Sequence, residues 1–457
     1  MPSWIFRRCL LVLLFIAVPV SGWTGESAES GAAPPEAATS EMAKVEAAPE
    51  EVGQAEAKAE GGQRHRRLLI LPFPFYNETI GPGLGVGVIA DGYIQPRAGL
   101  VVASLVSSSS FLVYVKLGNL QVPVVRRLLF EPDFEFGKLR DIHTYTGTDN
   151  PGFPGERAGS NESDKNNFKT SDGDDKWVNL YTKFLLPIGQ GKESILPRIR
   201  LERGLPVSDE PGSGSWNPLV SGRSWIEVTP FMRKQTLEDG GASTKTAGIE
   251  AGLRYDRTDF RANPTQGSML RGWVTRDWGA LDSTAPYTVA GGEYGQYFPL
   301  GPSDRARQRV IAFDLWTVNC LTWDASSVID GTPTFHRPPP YKGATLGGLE
   351  RLRAYPAARF NDKAGILYTL EYRYILDWNP LKNVTLNGRL QVDWFEIVGF
   401  GELGRVAPNW TVETLHKGMK ADGGIGVRSL VNNVVVRVDM AAGPEGWATQ
   451  MFVGQPF

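Results

Sequence analysis

The amino-acid sequence predicts an all-β protein, a transmembrane antiparallel barrel of about 16 strands with one loop folded inward and a disordered segment ahead of it. Three observations carry this. Several segments alternate strictly between apolar and charged residues, and glycine and aromatic residues are abundant (Gly 52, Trp 13, Tyr 14, Phe 21). Beyond the N-terminus, no apolar run is long enough for a spanning helix.

The alternation is clearest over 366–374. Ile366, Tyr368, Leu370, Tyr372 and Tyr374 fall on one face, and Leu367, Thr369, Glu371 and Arg373 on the other. Period two means a strand, and an aromatic face opposite a charged one suits a wall between lipid and a wet interior. Glu371 and Arg373 are thereby expected as lumenal charges. Ile195, Pro197, Ile199 and Leu201 oppose Arg198, Arg200 and Glu202; Ile249, Ala251, Leu253 and Tyr255 oppose Glu250, Arg254 and Asp256; Val434, Val436, Val438 and Met440 oppose Arg437 and Asp439. Paired charges on an inner face are wrong for a dry core and right for a water-filled one.

The expected strands run near 84–94, 97–107, 109–118, 125–137, 177–188, 194–205, 224–236, 246–257, 267–278, 287–300, 308–322, 365–376, 386–404, 423–430, 434–442 and 447–457. Counting them from either end places the polar insert Asp141–Lys176 on the periplasmic side, where turns are normally short. Within the insert, Asp172-Gly173-Asp174-Asp175 lacks the full calcium-loop signature and reads as a solvated turn.

Residues 1–22 read as a signal peptide, with basic Arg7 and Arg8, an apolar run Leu10–Val18 and small residues at Val20-Ser21-Gly22. Residues 23–66 form an Ala/Glu/Pro-rich linker that cannot bury enough apolar surface to fold, and 67–457 the barrel domain. The basic cluster Arg64–Arg67 marks the boundary between them. Cys9 lies in the leader, which leaves Cys320 without an intramolecular disulfide partner.

A net charge of −2 and the lack of a basic stripe argue against nucleic acid. The glycines of Gly81-Pro82-Gly83-Leu84-Gly85-Val86-Gly87 precede no Gly-Lys-Ser/Thr and no helical pattern, so they suggest a glycine-rich first strand rather than a phosphate loop. There is no Gly-x-Ser-x-Gly elbow, and His65, His143, His336 and His416 show no ligand spacing. The expectation is a non-enzyme with no cofactor and no metal.

The stretch Leu346–Ile375 joins an irregular loop, with Gly347-Gly348, Arg351 and Leu352-Arg353-Ala354-Tyr355, to the strand carrying Glu371-Tyr372-Arg373. This order resembles the sixth extracellular loop and following strand of BamA/TamA-type outer-membrane assembly barrels, the bacterial surface antigen family. That loop's glycine is here Ala354. Asp256-Arg257-Thr258-Asp259 with Pro264-Thr265-Gln266-Gly267 resembles a family turn, and Phe400-Gly401-Glu402-Leu403-Gly404 a family strand with Glu in place of Asp. The resemblance implies that Arg353 points into the barrel and meets Glu402 through a two-bond fork, with Tyr355 in the same lock. It also implies that C-terminal Phe457 is read by the barrel assembly machinery.

The segment before the barrel lacks the pattern of a periplasmic polypeptide-transport domain, so the resemblance implies a member without such domains. Implied further are a bacterial outer-membrane location, a monomer, a setting of outer-membrane lipids and lipopolysaccharide, and unfolded outer-membrane proteins as clients. The expected role is assembly or insertion of outer-membrane proteins or lipids; a passive or gated pore and a structural surface barrel remain as alternatives.

Overall fold

Alternating strands have one face for lipid and one for the interior, and only a closed antiparallel ring satisfies their backbones. In a computed structural model the chain is described over residues 66–457, apart from 78–80, 108–109, 197–198, 208–214, 239–242, 330 and 383–390. The expected signal peptide and nearly all of the expected linker lie outside the described residues.

The wall consists of β1 (Arg67–Asn77), β2 (Gly81–Asp91), β3 (Gly99–Ser107), β4 (Phe111–Gly118), β5 (Leu128–Thr144), β6 (Lys169–Leu185), β7 (Arg223–Leu237), β8 (Thr244–Asp256), β9 (Gly267–Asp277), β10 (Tyr287–Pro299), β11 (Ala306–Cys320), β12 (Ala364–Leu376), β13 (Val392–Ala407), β14 (Lys420–Val431), β15 (Val434–Gly443) and β16 (Gly446–Val453). Each pairs antiparallel with the next, and the short strand Leu120–Gln121 adds a second contact along β5. The two faces differ as the alternation requires. Leu370 and Tyr372 are exposed, whereas Glu371 and Arg373 between and beside them are fully buried. Among the described residues, no helix is long and apolar enough to cross a membrane.

Several expectations are corrected. Residues 67–77 form a strand, although Pro72 and Pro74 argue against one. Proline is confined to edges because it cannot donate to a ladder, and β1 is an edge: among the described residues it has one hydrogen-bonded neighbour, β2. Residues 194–205 are not a wall strand; they hold only the two-residue pair Leu201–Glu202 and Leu205–Pro206. One strand missed and one added leave the count unchanged but flip what lies between them. The loop 145–168 therefore projects from the end opposite the termini, together with the loop 321–363. Asp172–Asp175 is likewise not a turn but part of β6, where buried Asp175 accepts from Arg233 Nε at 2.9 Å.

The glycine run lies in β2, the second strand. Phe73 and Phe75 of β1 sit opposite Gly85 and Gly83. A methyl group at Gly83 would come 2.4 Å from the Phe75 ring, and one at Gly85 2.5 Å from that of Phe73. The aromatic rings thus cover the surface that the glycines leave bare.

The described residues of 186–222 lie across the mouth at the terminal end. Near β5 to β7, Leu196 packs with Leu129, Leu185 and Trp225, and Arg97 Nη1 donates to the Leu196 carbonyl at 2.9 Å. Across the ring, Ile199, Leu201 and Leu205 pack with Phe260, Trp394, Leu430 and Val435. Trp394 Nε1 donates to the Gly204 carbonyl at 3.0 Å, and Arg307 Nη1 to that of Arg203 at 2.8 Å. This is why 194–205 imitates a strand: its apolar side packs inside the mouth instead of against lipid.

Candidate functional site: a loop tip locked to five strands

The loop between β11 and β12 descends as a two-stranded ribbon, Ala344–Leu346 paired with Phe360–Asp362, and presents residues 347–359 as its tip. Gly347 has φ +104, and a β-carbon there would lie 2.1 Å from the Pro356 carbonyl, so glycine is required. Tip geometry is held by Gly347 N donating to the Arg351 carbonyl at 2.9 Å and Gly348 N to that of Tyr355 at 3.1 Å. The left-handed non-glycine residues of the tip are Leu352 and Ala358. Ala354 is not among the residues with positive φ, so alanine fits where the resembled family has glycine.

Arg353 is fully buried. Its Nη1 donates to Glu371 Oε1 at 3.0 Å and to Asp439 Oδ2 at 2.8 Å. Its backbone N–H donates to Glu402 Oε2 at 2.8 Å, and its Nε lies 3.3 Å from the same oxygen. The guanidinium carbon stands 3.5 Å from the centre of the Phe400 ring. Arg353 and Glu402 are thus brought together, but not through the expected fork: Glu402 holds the main chain, while the guanidinium reaches β12 and β15. Burial works against the Arg353 charge, but Glu402, Glu371 and Asp439 outweigh it and hold the group above its ordinary pKa.

Glu371 gathers three arginines. Arg373 Nε donates to it at 2.8 Å and Arg428 Nη2 at 2.7 Å, alongside Arg353. Arg437 Nη1 donates to Asp439 at 2.8 Å and its Nη2 to the Leu349 carbonyl of the tip at 2.8 Å. The expected lumenal charges therefore belong to the lock itself.

Tyr355 is 1% exposed, sets its ring 5.2 Å from that of Phe360 and donates its hydroxyl to the Ala421 carbonyl at 3.2 Å. Burial pushes its phenol up to about 12, so it remains a donor at neutral pH. Ala354 N donates to Asp422 Oδ2 at 2.7 Å, and Gln450 Nε2 to the Arg353 carbonyl at 2.8 Å. The tip is thus tied to β12, β13, β14, β15 and β16. As partners of the tip, Asp439, Asp422 and Gln450 escaped the sequence reading. The charged face holding Arg437 and Asp439 was the available signal for the first.

The resembled motifs acquire physical reasons. Phe400 underlies the guanidinium and Glu402 takes the backbone N–H. A β-carbon at Gly404 would approach the Leu346 side chain to 2.9 Å, so glycine makes room for the ribbon. In the turn after β8, Asp259 accepts from the N–H of Phe260 at 2.8 Å and of Thr265 at 2.9 Å. Gly267 (φ +100) lies where a β-carbon would fall 2.2 Å from the Arg257 carbonyl.

Phe457 follows β16 and turns inward. Its ring stacks at 6.2 Å on Tyr297, with the Arg373 guanidinium 5.1 Å away, so it faces the lumen and not lipid. On the loop side, Arg359 Nε donates to Glu445 at 2.8 Å, and Arg157 bridges Asp362 at 2.6 Å, tying the loop 145–168 over the ribbon.

Residues 204–444 match the Omp85 superfamily domain. Similar solved structures include BamA from Haemophilus ducreyi lacking POTRA domains 1-3, at 12% identity and a TM-score of 0.47, covering 85% of this chain and 70% of that one. CdiB from Acinetobacter baumannii matches at 10% identity and 0.48, covering 86% and 60%, and CdiB from Escherichia coli at 10% and 0.52, covering 86% and 64%. This chain thus spans less than two thirds of either CdiB chain, and at 10% identity the match to CdiB from Escherichia coli is a likeness of fold alone. No curated protein matches the sequence.

Proposed function

The chain belongs to the Omp85 superfamily, and from that premise we propose that it is a non-enzymatic, loop-plugged barrel of the bacterial outer membrane that assists the assembly or insertion of outer-membrane proteins or lipids. The observation that carries this reading is the tip of the β11–β12 loop, bound at Arg353 to carboxylates of three different strands. A device of that kind holds a barrel closed while leaving a few polar contacts as its release points.

Two further features support the reading. The described residues of 186–222 pack against both sides of the terminal mouth and oppose a passive pore. Pro72 and Pro74, two residues apart, remove two N–H donors from one edge of β1, which weakens this edge strand as a ladder partner.

The test joins two measurements. Purified protein in planar bilayers is expected to give brief openings from a closed baseline, and a deletion strain to lose particular outer-membrane proteins or lipids. Steady conductance with an unchanged outer membrane would favour the pore. A silent bilayer with an unchanged outer membrane would leave a structural surface barrel as the better reading.

A further inference from the structure

At the end opposite the termini, the loops 145–168, 278–286 and 321–363 enclose with the start of β8 a cavity of about 340 Å³. That is the lower range of small-ligand sites. Ala285, Tyr287 and Ala344 form a buried apolar floor, and Pro338–Pro340 one wall. Arg157, Arg337 and Lys245 line it, against a single carboxylate, Asp362.

The charges do not balance. Asp362 is engaged by Arg157 at 2.6 Å, and Lys245 leans 3.0 Å from Asp282, which is exposed and screened by water. Arg337 lies between Phe335 and Trp323, its guanidinium carbon 4.2 Å and 4.6 Å from the ring centres, and gives its Nε to the Trp323 carbonyl at 3.1 Å. Among the described residues, no carboxylate pairs with it. Arg157 stands 5.9 Å from the same Trp323 ring, so two guanidiniums converge on one indole. Burial holds Arg157 below the ordinary guanidinium range; Asp362, the next-largest influence, opposes this, and the Arg337 charge adds a smaller push downward. Fixed cations gathered at a half-enclosed, largely apolar cavity are relieved by an anion among them.

We propose that this cavity binds a small anionic ligand, a phosphate or carboxylate carried on a sugar-sized polar ring. Arg337 and Arg157 grip the anion, and the proline wall and the tyrosine floor seat the ring. Arginine suits the task because its planar fork matches both anions and remains charged when partly buried. The chemistry stands apart from the assembly role. Only the membrane as a source rests on that role, through the loop end facing outward. The ligand comes either from an outer-leaflet glycolipid headgroup or from a free acidic sugar.

The test is titration of the full-length protein in detergent, by calorimetry and Trp fluorescence, with glucose 6-phosphate, galacturonate and a phosphorylated glycolipid in mixed micelles; neutral glucose is the control. Saturable binding of at least one acidic probe and none of glucose is expected. Arg337→Ala should weaken it about tenfold or more, since a hydrogen bond to a charged group is lost. Arg337→Lys should fall between, and Lys417→Ala, an exposed charge elsewhere on the same end, should leave it unchanged. Binding of the glycolipid alone assigns the membrane as source, and binding of the free sugars a soluble one. If Arg337→Ala does not fold, Arg337→Lys and competition among the acidic probes on the native protein decide. No saturable binding of any acidic probe, or binding indifferent to both Arg337 variants, overturns the proposal.

Discussion

Arg353 gives Glu402 its backbone N–H at 2.8 Å and sends its guanidinium past that carboxylate to Glu371 and Asp439. Side chain and main chain of one residue thus fasten the loop tip to three strands, and the two halves of the fastening fail differently.

Arg353→Ala removes the one cation paired with Glu402 among the described residues, while Glu371 keeps Arg373 and Arg428. Breaking a buried pair from one side costs roughly 3–5 kcal/mol, and the remaining arginines place this case near the lower end. Glu402→Gln retains an oxygen for the backbone N–H and should cost only about 1 kcal/mol. The double variant should be little worse than Arg353→Ala alone. Protease access and hydrogen exchange over 347–359 measure this; additive losses would mean that the two residues act separately.

How much of this was legible follows from the kind of signal. The alternation over 366–374 correctly separated Leu370 and Tyr372 from Glu371 and Arg373, because an apolar surround on one side and a charged interior on the other impose it directly. Arg353 and Glu402 were legible because they sit in motifs. Asp439 as a partner of Arg353 was not: 86 residues separate them, and only barrel closure brings β15 under the tip. Prolines hid β1, since their cost disappears only at an edge. The pattern of 194–205 misled because a segment lying across the mouth buries one face just as a wall strand does.

Tyr355 separates packing from hydrogen bonding. Tyr355→Phe loses only the 3.2 Å bond to the Ala421 carbonyl and should cost about 1 kcal/mol. Tyr355→Ala also empties the contact with Phe360 and should cost roughly 3–5 kcal/mol. Heat-modifiable migration on gels, scored as the temperature of the folded-to-unfolded shift, ranks the two. Equal shifts would show that the ring is not packed as described.

Gly204 tests the segment across the terminal mouth. It has φ +76, and a β-carbon would fall 2.7 Å from both the Asp393 and Trp394 side chains. Gly204→Ala therefore combines a left-handed backbone, which costs about 1–2 kcal/mol in an L-residue, with a collision. The wall strands should remain assembled while Trp394 fluorescence shifts toward that of a solvated indole and bilayer openings lengthen. Unchanged openings would mean that the segment does not obstruct the lumen.

The first hairpin offers a test by compensation. A β-carbon at Gly85 would meet the Phe73 ring at 2.5 Å and the Leu105 side chain at 2.7 Å, both of them side chains and not backbone. Gly85→Ala should thus destabilise the β1–β2 pair by roughly 1–3 kcal/mol, as overpacking does. Phe73→Ala alone uncovers the glycine and loses ring contacts. Combined, the second substitution clears the space that the first requires, and the new methyl group covers part of what the ring left bare. The double variant should therefore be more stable than the sum of the singles predicts, by about 1 kcal/mol. Because β1 has a ladder on one side only among the described residues, this coupling should appear first as earlier exchange of β1 amides and only later as loss of the heat-resistant barrel. Strictly additive losses would place the Phe73 ring away from Gly85 and remove the reason for glycine at that position.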